Sequence, residues 1–216
     1  ESVWWLIKQI YSKGSLYKGY SIQPYSPKAG TGISSHELNQ PGTYKDVTDT
    51  SVTAMFKTIK SSLPKSLKND EELYILAWTT TPWTLPSNTA LTVGKKIKYV
   101  IIKTFNQYTS LPIRVLIASK LIEKQFGKKY KLVEKPSLLK NYNTTSKEIP
   151  YFIETSCLGK DLIDIKYEKL WKESPPPINN PENAFRVIEG DFVTIDDGTG
   201  IVHTAPTFGA DDALAA

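Results

Sequence analysis

The chain has 216 residues, 40% of them apolar and 23% charged, which excludes collagen-like, mucin-like and wholly disordered chains and suffices for one domain with a real core. Lys and Arg number 27 and Asp and Glu 22, and the net +5 permits a polyanionic partner without requiring one. A lone cysteine, Cys157, excludes an internal disulfide framework and fits a reducing, cytoplasmic setting; no apolar run reaches 18 residues, so no membrane span is expected.

In chain order, residues 2–13 predict a short amphipathic helix. Val3, Leu6, Ile7 and Ile10 recur at helical spacing, Trp4 and Trp5 widen the apolar side, and Gly14 is a stop signal. The opening Glu1-Ser2-Val3-Trp4-Trp5 lacks the basic region of a signal peptide and a starting methionine, so the chain reads as processed or as a piece of something longer. Residues 17–25 look extended, 26–32 form a loop, and 51–56 predict a strand. Residues 61–72 are polar and read as a solvated excursion.

The middle is strand-rich, with runs at 73–78, 90–93 and 99–102 and a turn at Gly94-Lys95. Residues 113–126 predict a strand passing into a helix capped by Ser119, and 130–134 look extended again. Four of the 14 prolines fall between Glu173 and Asn183, which reads as a surface loop. Phe192–Ile195 and Ile201–His203 flank Asp196-Asp197-Gly198-Thr199-Gly200, a hairpin signal. The alanines after Asp211-Asp212 predict a helix with its acids at the N-terminus. Many short strands with few helices argue for a β-rich α+β domain, a barrel-like β core with helices outside it.

Metal chemistry is poorly supplied. His36 and His203 are the only histidines, and neither stands at zinc-site spacing from Cys157. Gly14 and Gly19 have phosphate-loop separation, but Tyr20 stands where lysine is required, and no serine nucleophile elbow occurs. Two segments remain. Trp78-Thr79-Thr80-Thr81-Pro82-Trp83-Thr84-Leu85-Pro86-Ser87-Asn88 crowds hydroxyls among prolines and tryptophans just after a strand. Such hydroxyls suit positioning a polar substrate or a water, or they form a Thr-rich strand end and turn. Gly198–Asp212 ends a strand on His203 and opens a helix on two acids. The histidine reads as a turn or core residue or as a functional one, and either aspartate as a helix cap or a site group.

These two segments resemble the signature stretches of the editing domain inserted in isoleucyl-tRNA synthetases. Ser2-Val3-Trp4-Trp5, Tyr17-Lys18-Gly19-Tyr20, Pro24-Tyr25-Ser26 and Tyr44-Lys45-Asp46-Val47 resemble the family's approach to that insertion. Pro82-Trp83 stands where the valyl and leucyl relatives typically carry an arginine, which favours the isoleucyl type. Phe208, where bacterial members usually carry histidine, favours the eukaryotic cytoplasmic branch. The synthetic His-x-Gly-His and Lys-Met-Ser-Lys-Ser stretches do not occur.

The resemblance implies a single editing domain over residues 1–216, a distorted β-barrel core with peripheral helices, with 1–25 as flank or connector and the returning connector missing. It implies hydrolysis of Val-tRNA(Ile), and of valyl-adenylate as a further substrate, with no metal or other cofactor. The implied partners are the 3′ end of isoleucine tRNA and the rest of a parent synthetase, with no membrane. Asp212 is expected to hold the substrate ammonium, and Thr79, Thr80 and Thr81 the terminal adenosine and the water. Asn88 supports the loop or contacts the nucleotide. Thr80 and His203 form the wall against isoleucine's extra methylene, and His203 is also a proton handler. Trp83, Tyr25 and Phe208 are aromatic candidates for base stacking, and Lys28 and Lys45 for phosphates. The alternative is a noncatalytic tRNA-end or protein-interaction module derived from such a domain.

Overall fold

A computed structural model describes residues 1–19, 21–173 and 181–216. The proline run Pro175–Pro177 and Tyr20 lie outside the described residues. Two compact units are present, residues 1–46 and 47–216.

The first unit holds helix α1 (Ser2–Ser12), ended by Gly14 at φ 72°, a two-stranded ribbon of β1 (Tyr25–Ser26) and β2 (Thr31–Gly32), and a short helix α2 (Ser35–Leu38). A capping box sets the start of α2: the Ser34 hydroxyl accepts from the Glu37 N–H, and the Glu37 carboxylate accepts from the Ser34 N–H.

The second unit is built on strands β3 (Val52–Lys57), β4 (Tyr74–Thr79), β5 (Ala90–Val93), β6 (Lys98–Phe105), β7 (Pro112–Ala118), β8 (Tyr130–Leu132), β9 (Ile149–Leu158), β10 (Arg186–Glu189) and β11 (Ile201–Thr204). They form a six-stranded sheet, order β3-β4-β7-β6-β9-β8, and a three-stranded sheet, order β10-β5-β11. Helix α3 (Ile122–Phe126) follows β7, and α4 (Ala210–Ala215) closes the chain.

Alternation along β6 and β7 sends Tyr99, Ile101, Leu116 and Ala118 to one face and Val100, Ile102, Val115 and Ile117 to the other. Both faces are covered, so these strands are apolar almost throughout. The first face forms the main core with Phe56, Leu91, Tyr167 and Val187.

Among the described residues the pairings do not close into the expected barrel. The first sheet ends at β3 and β8 and the second at β10 and β11. Pro82 and Pro86 lie in the 3-10 turn Pro82–Ser87 joining β4 to β5, and without N–H groups they cannot continue a strand ladder.

Three smaller expectations also change. Phe192–Ile195 forms no strand, and β11 pairs antiparallel with β5 instead of closing a hairpin. A partner eight residues away satisfies the local pattern, but β5 is already a fully buried strand awaiting two neighbours. Ser119 lies inside a 3-10 turn rather than capping α3. The polar excursion at 61–72 is pinned from beneath, because Leu63 and Leu67 enter the core.

Candidate functional site

The β5–β11 pairing brings the two motifs together. It sets His203 opposite Leu91 and Thr204 opposite Ala90, and the Thr89 N–H donates to the Thr204 carbonyl at 3.0 Å. The end of β4, the 3-10 turn behind it, the 198–203 segment and the start of α4 enclose a cavity of about 420 Å³. Thr79, Thr80, Thr81, Thr84, His203, Phe208 and Asp212 all line it. Asn88 and Trp83 do not: Asn88 is buried behind it and Trp83 is exposed. A larger cavity of about 740 Å³ opens among Met55, Tyr74, Phe105 and Arg114, remote from both motifs. The smaller one is the candidate site on chemical grounds, since it collects the hydroxyls, the imidazole and the carboxylates.

Behind the cavity runs a buried relay of polar groups. The Tyr167 hydroxyl donates to Asn88 Oδ1 at 2.6 Å. Asn88 Nδ2 donates to the Ala90 carbonyl at 2.8 Å and to His203 Nδ1 at 2.9 Å. The Ala90 carbonyl fixes the orientation of the amide, since a flipped Asn88 would set two acceptors face to face. His203 Nδ1 is therefore an acceptor and Nε2 carries the proton, which it donates to Thr84 Oγ1 at 3.0 Å. Thr84 in turn donates to the Thr81 carbonyl at 2.8 Å. Burial lowers the His203 pKa below its ordinary value, and the nearby Asp212 charge only partly opposes this. His203 is thus a neutral Nε2–H imidazole with both nitrogens engaged. It ties the threonine loop to β11.

The three threonines are not equivalent. Thr79 Oγ1 accepts the Thr81 N–H at 3.0 Å and lies 3.2 Å from Thr81 Oγ1, so both hydroxyls are spent on loop geometry. Thr80 is exposed, lines the cavity, and its hydroxyl has no partner among the described residues. Asp212 lines the cavity while Asp211 does not. Asp212 Oδ2 accepts the Ala205 N–H at 2.9 Å, and Oδ1 has no hydrogen-bond partner among the described residues. Gly198 and Gly200 sit at φ 73° and 70°, and a Cβ at Gly200 would stand 2.5 Å from the Ala118 methyl. The loop must pass that close for Ile201 to enter register with Val93.

The lining carries two carboxylates, Asp197 and Asp212, and no lysine or arginine among the described residues. Such a pocket suits a cation with neutral polar groups around it and disfavours a phosphate. Tyr25, Lys28 and Lys45 belong to the first unit. Sequence reasoning missed Thr84 and Tyr167. Thr84 stood inside the quoted motif, whereas Tyr167 carries no local signal, and only the tertiary contact to Asn88 reveals it.

A family profile described as tRNA synthetases class I (I, L, M and V) matches residues 1–197. An isoleucine–tRNA ligase of Cytophaga hutchinsonii is 56% identical over the whole chain, and one of Bacteroides fragilis is 54% identical. The chain spans 18% of the length of each. The solved editing domain of a P. knowlesi cytosolic leucyl-tRNA synthetase matches with a TM-score of 0.53 at 11% identity, over 76% of this chain and 60% of that one. That likeness establishes a mixed α+β fold of the editing-domain kind. Both ligases are bacterial, so the eukaryotic branch inferred from Phe208 gains no support from them.

Proposed function

The chain belongs to the class I tRNA synthetases (I, L, M and V), and on that premise we propose that it is the proofreading unit of a cytoplasmic isoleucine–tRNA ligase, hydrolysing Val-tRNA(Ile). A synthetic pocket shaped for isoleucine rejects valine by only about 1–3 kcal/mol, a limit of which isoleucine–tRNA ligases are themselves the standard illustration. A second, smaller pocket can instead exclude isoleucine by overlap.

Asp212 Oδ1 binds the substrate's α-ammonium, a charge-assisted hydrogen bond. The free Thr80 hydroxyl contacts the aminoacyl ester or the attacking water. Thr79 and Thr81 keep the loop in shape for the terminal adenosine. Water attacks the ester carbonyl, the tetrahedral intermediate collapses, and the ribose oxygen leaves with a proton from the water. His203, held neutral and fixed on both nitrogens, acts as wall and support rather than as proton carrier. Asn88, with both amide hydrogens engaged, supports the loop rather than reading the nucleotide.

The observation that carries this reading is the cavity uniting Thr80, His203 and Asp212 with no lysine or arginine in its lining among the described residues. The same observation favours the ester over valyl-adenylate, whose phosphate would sit directly beside the carbonyl in a lining that offers it no lysine or arginine among the described residues. The test compares deacylation of Val-tRNA(Ile), Ile-tRNA(Ile) and hydrolysis of valyl-adenylate. Fast hydrolysis of the valyl ester alone is expected. Binding of both tRNAs without turnover would leave only a noncatalytic tRNA-end module, and equal rates on the two would refute the sieve against isoleucine.

A further inference from the structure

The chain's positive charge is concentrated. Residues 120–147 hold eight lysines against two glutamates, a net +6, while the chain totals +5. The other 188 residues therefore carry −1. The tract comprises the end of the turn Ser119–Leu121, α3, the turn Gly127–Lys129, the edge strand β8 and the turn Pro136–Asn141. All eight lysines are exposed. Lys124 pairs with Asp197 and Lys131 with Glu148; the other six make no ion pair among the described residues.

Two features give this charge a direction. Lys124 Nζ lies 2.9 Å from Asp197, and Asp197 lines the threonine cavity, so the tract begins at the mouth of the site. The cavity lining itself offers a polyanion no lysine or arginine among the described residues. The tract's aromatic rings are already used: Phe126 stacks on Tyr130 at 4.6 Å, and Tyr142 on Phe105 at 4.3 Å. These stacks fix the framework that presents the lysines and leave no free ring there for a base. The surface offers charge without a stacking platform, which suits the phosphate backbone of a helical stem rather than unstacked bases. Lysines on an edge strand also discourage edge-to-edge pairing, but that need is met by Lys131 on β8 and does not explain Lys120, Lys128, Lys129 and Lys135.

We propose that the lysine tract 120–147 is a docking surface for the phosphate backbone of the RNA stem whose 3′ end enters the threonine cavity. This rests on the tRNA reading above. The test removes Lys120, Lys128, Lys129 and Lys135 together by substitution with glutamine. The probes are deacylated tRNA for binding and the 3′-O-valyl ester of adenosine, which has no phosphate, for hydrolysis. A control replaces Lys65, Lys68, Lys96 and Lys98, exposed lysines outside the tract, and changes net charge equally. The tract variant should weaken tRNA binding by roughly tenfold or more and reduce the salt slope by about 3, near 0.7–0.9 for each phosphate no longer neutralised. Ester hydrolysis should be unchanged, and the control should bind tRNA nearly as the parent does.

Equal weakening in variant and control, unchanged binding in the variant, or no tRNA binding by the parent chain would each overturn the proposal. So would a loss confined to binding of phosphatidylserine vesicles, which would mark a membrane surface instead. Lysine-dependent tRNA binding in a chain that hydrolyses no ester would support the surface and count against the hydrolytic reading.

Discussion

Replacing Tyr167 by phenylalanine removes one oxygen and keeps the ring. The edge-on contacts with Phe56 at 5.2 Å and Phe185 at 6.3 Å need only the ring, so packing is conserved. What is lost is the 2.6 Å hydrogen bond to Asn88 Oδ1, in a place where Tyr167 is 1% and Asn88 6% exposed. Burial pushes the phenol pKa far up, so the hydroxyl remains a donor across all practical pH. Without it a buried carbonyl oxygen has no partner, a cost of about 1–3 kcal/mol. For a chain of this size that corresponds to a melting temperature lower by roughly 2–12 °C.

The second consequence is functional. Asn88 loses one of the restraints that hold its amide, and through it the Nε2–H form of His203 and the Thr84 anchor. Chemical denaturation gives the stability term, and nitrogen NMR of His203 gives the tautomer. A double-mutant cycle of Tyr167→Phe with His203→Gln should show coupling of about 0.5–3 kcal/mol if the relay acts as a unit. Stability within about 0.5 kcal/mol of the parent, the range of an inert surface change, with no change at His203, would refute the relay.

Asp212→Ala should abolish most deacylation with the fold retained, and Asp212→Asn should lose nearly as much because the amide oxygen accepts a hydrogen bond but brings no charge to the ammonium; near-normal rates in either would remove Asp212 from that role. Gly209→Ala would set a Cβ 3.0 Å from the Asp212 carboxylate, so deacylation should fall more than stability does, and an equal or smaller fall would show that the carboxylate yields freely. The His203 pKa is depressed in the fold from its ordinary 6.5. Below about pH 6.5 the unfolded chain gains a proton that the native chain refuses, so stability should fall as pH drops from there through the folded pKa. Urea titrations should show this slope in the parent and a flatter one in His203→Gln; identical slopes would contradict a buried neutral imidazole.

Most of the strands are legible in the chain itself, because their signals are local. Alternation and β-branched runs placed β3, β4, β5, β6 and β7, and the acids at the start of α4 followed from the alanines behind them. Both motifs are legible too, since threonines between prolines and a histidine three residues before Pro206 are recognisable without coordinates. What the residues do for one another emerges only from the packed chain. The hairpin reading of 192–203 failed because β11 finds its partner at β5, about a hundred residues earlier in the chain, and no local pattern records that pairing. The same pairing carries His203 to Asn88 and Thr84, and the folded loop separates Thr79 and Thr81, whose hydroxyls bond to the loop, from Thr80, whose hydroxyl has no partner among the described residues. Tyr167 shows the limit most plainly. A tyrosine in an alternating run is an ordinary core residue until the fold places its hydroxyl 2.6 Å from the buried amide oxygen of Asn88.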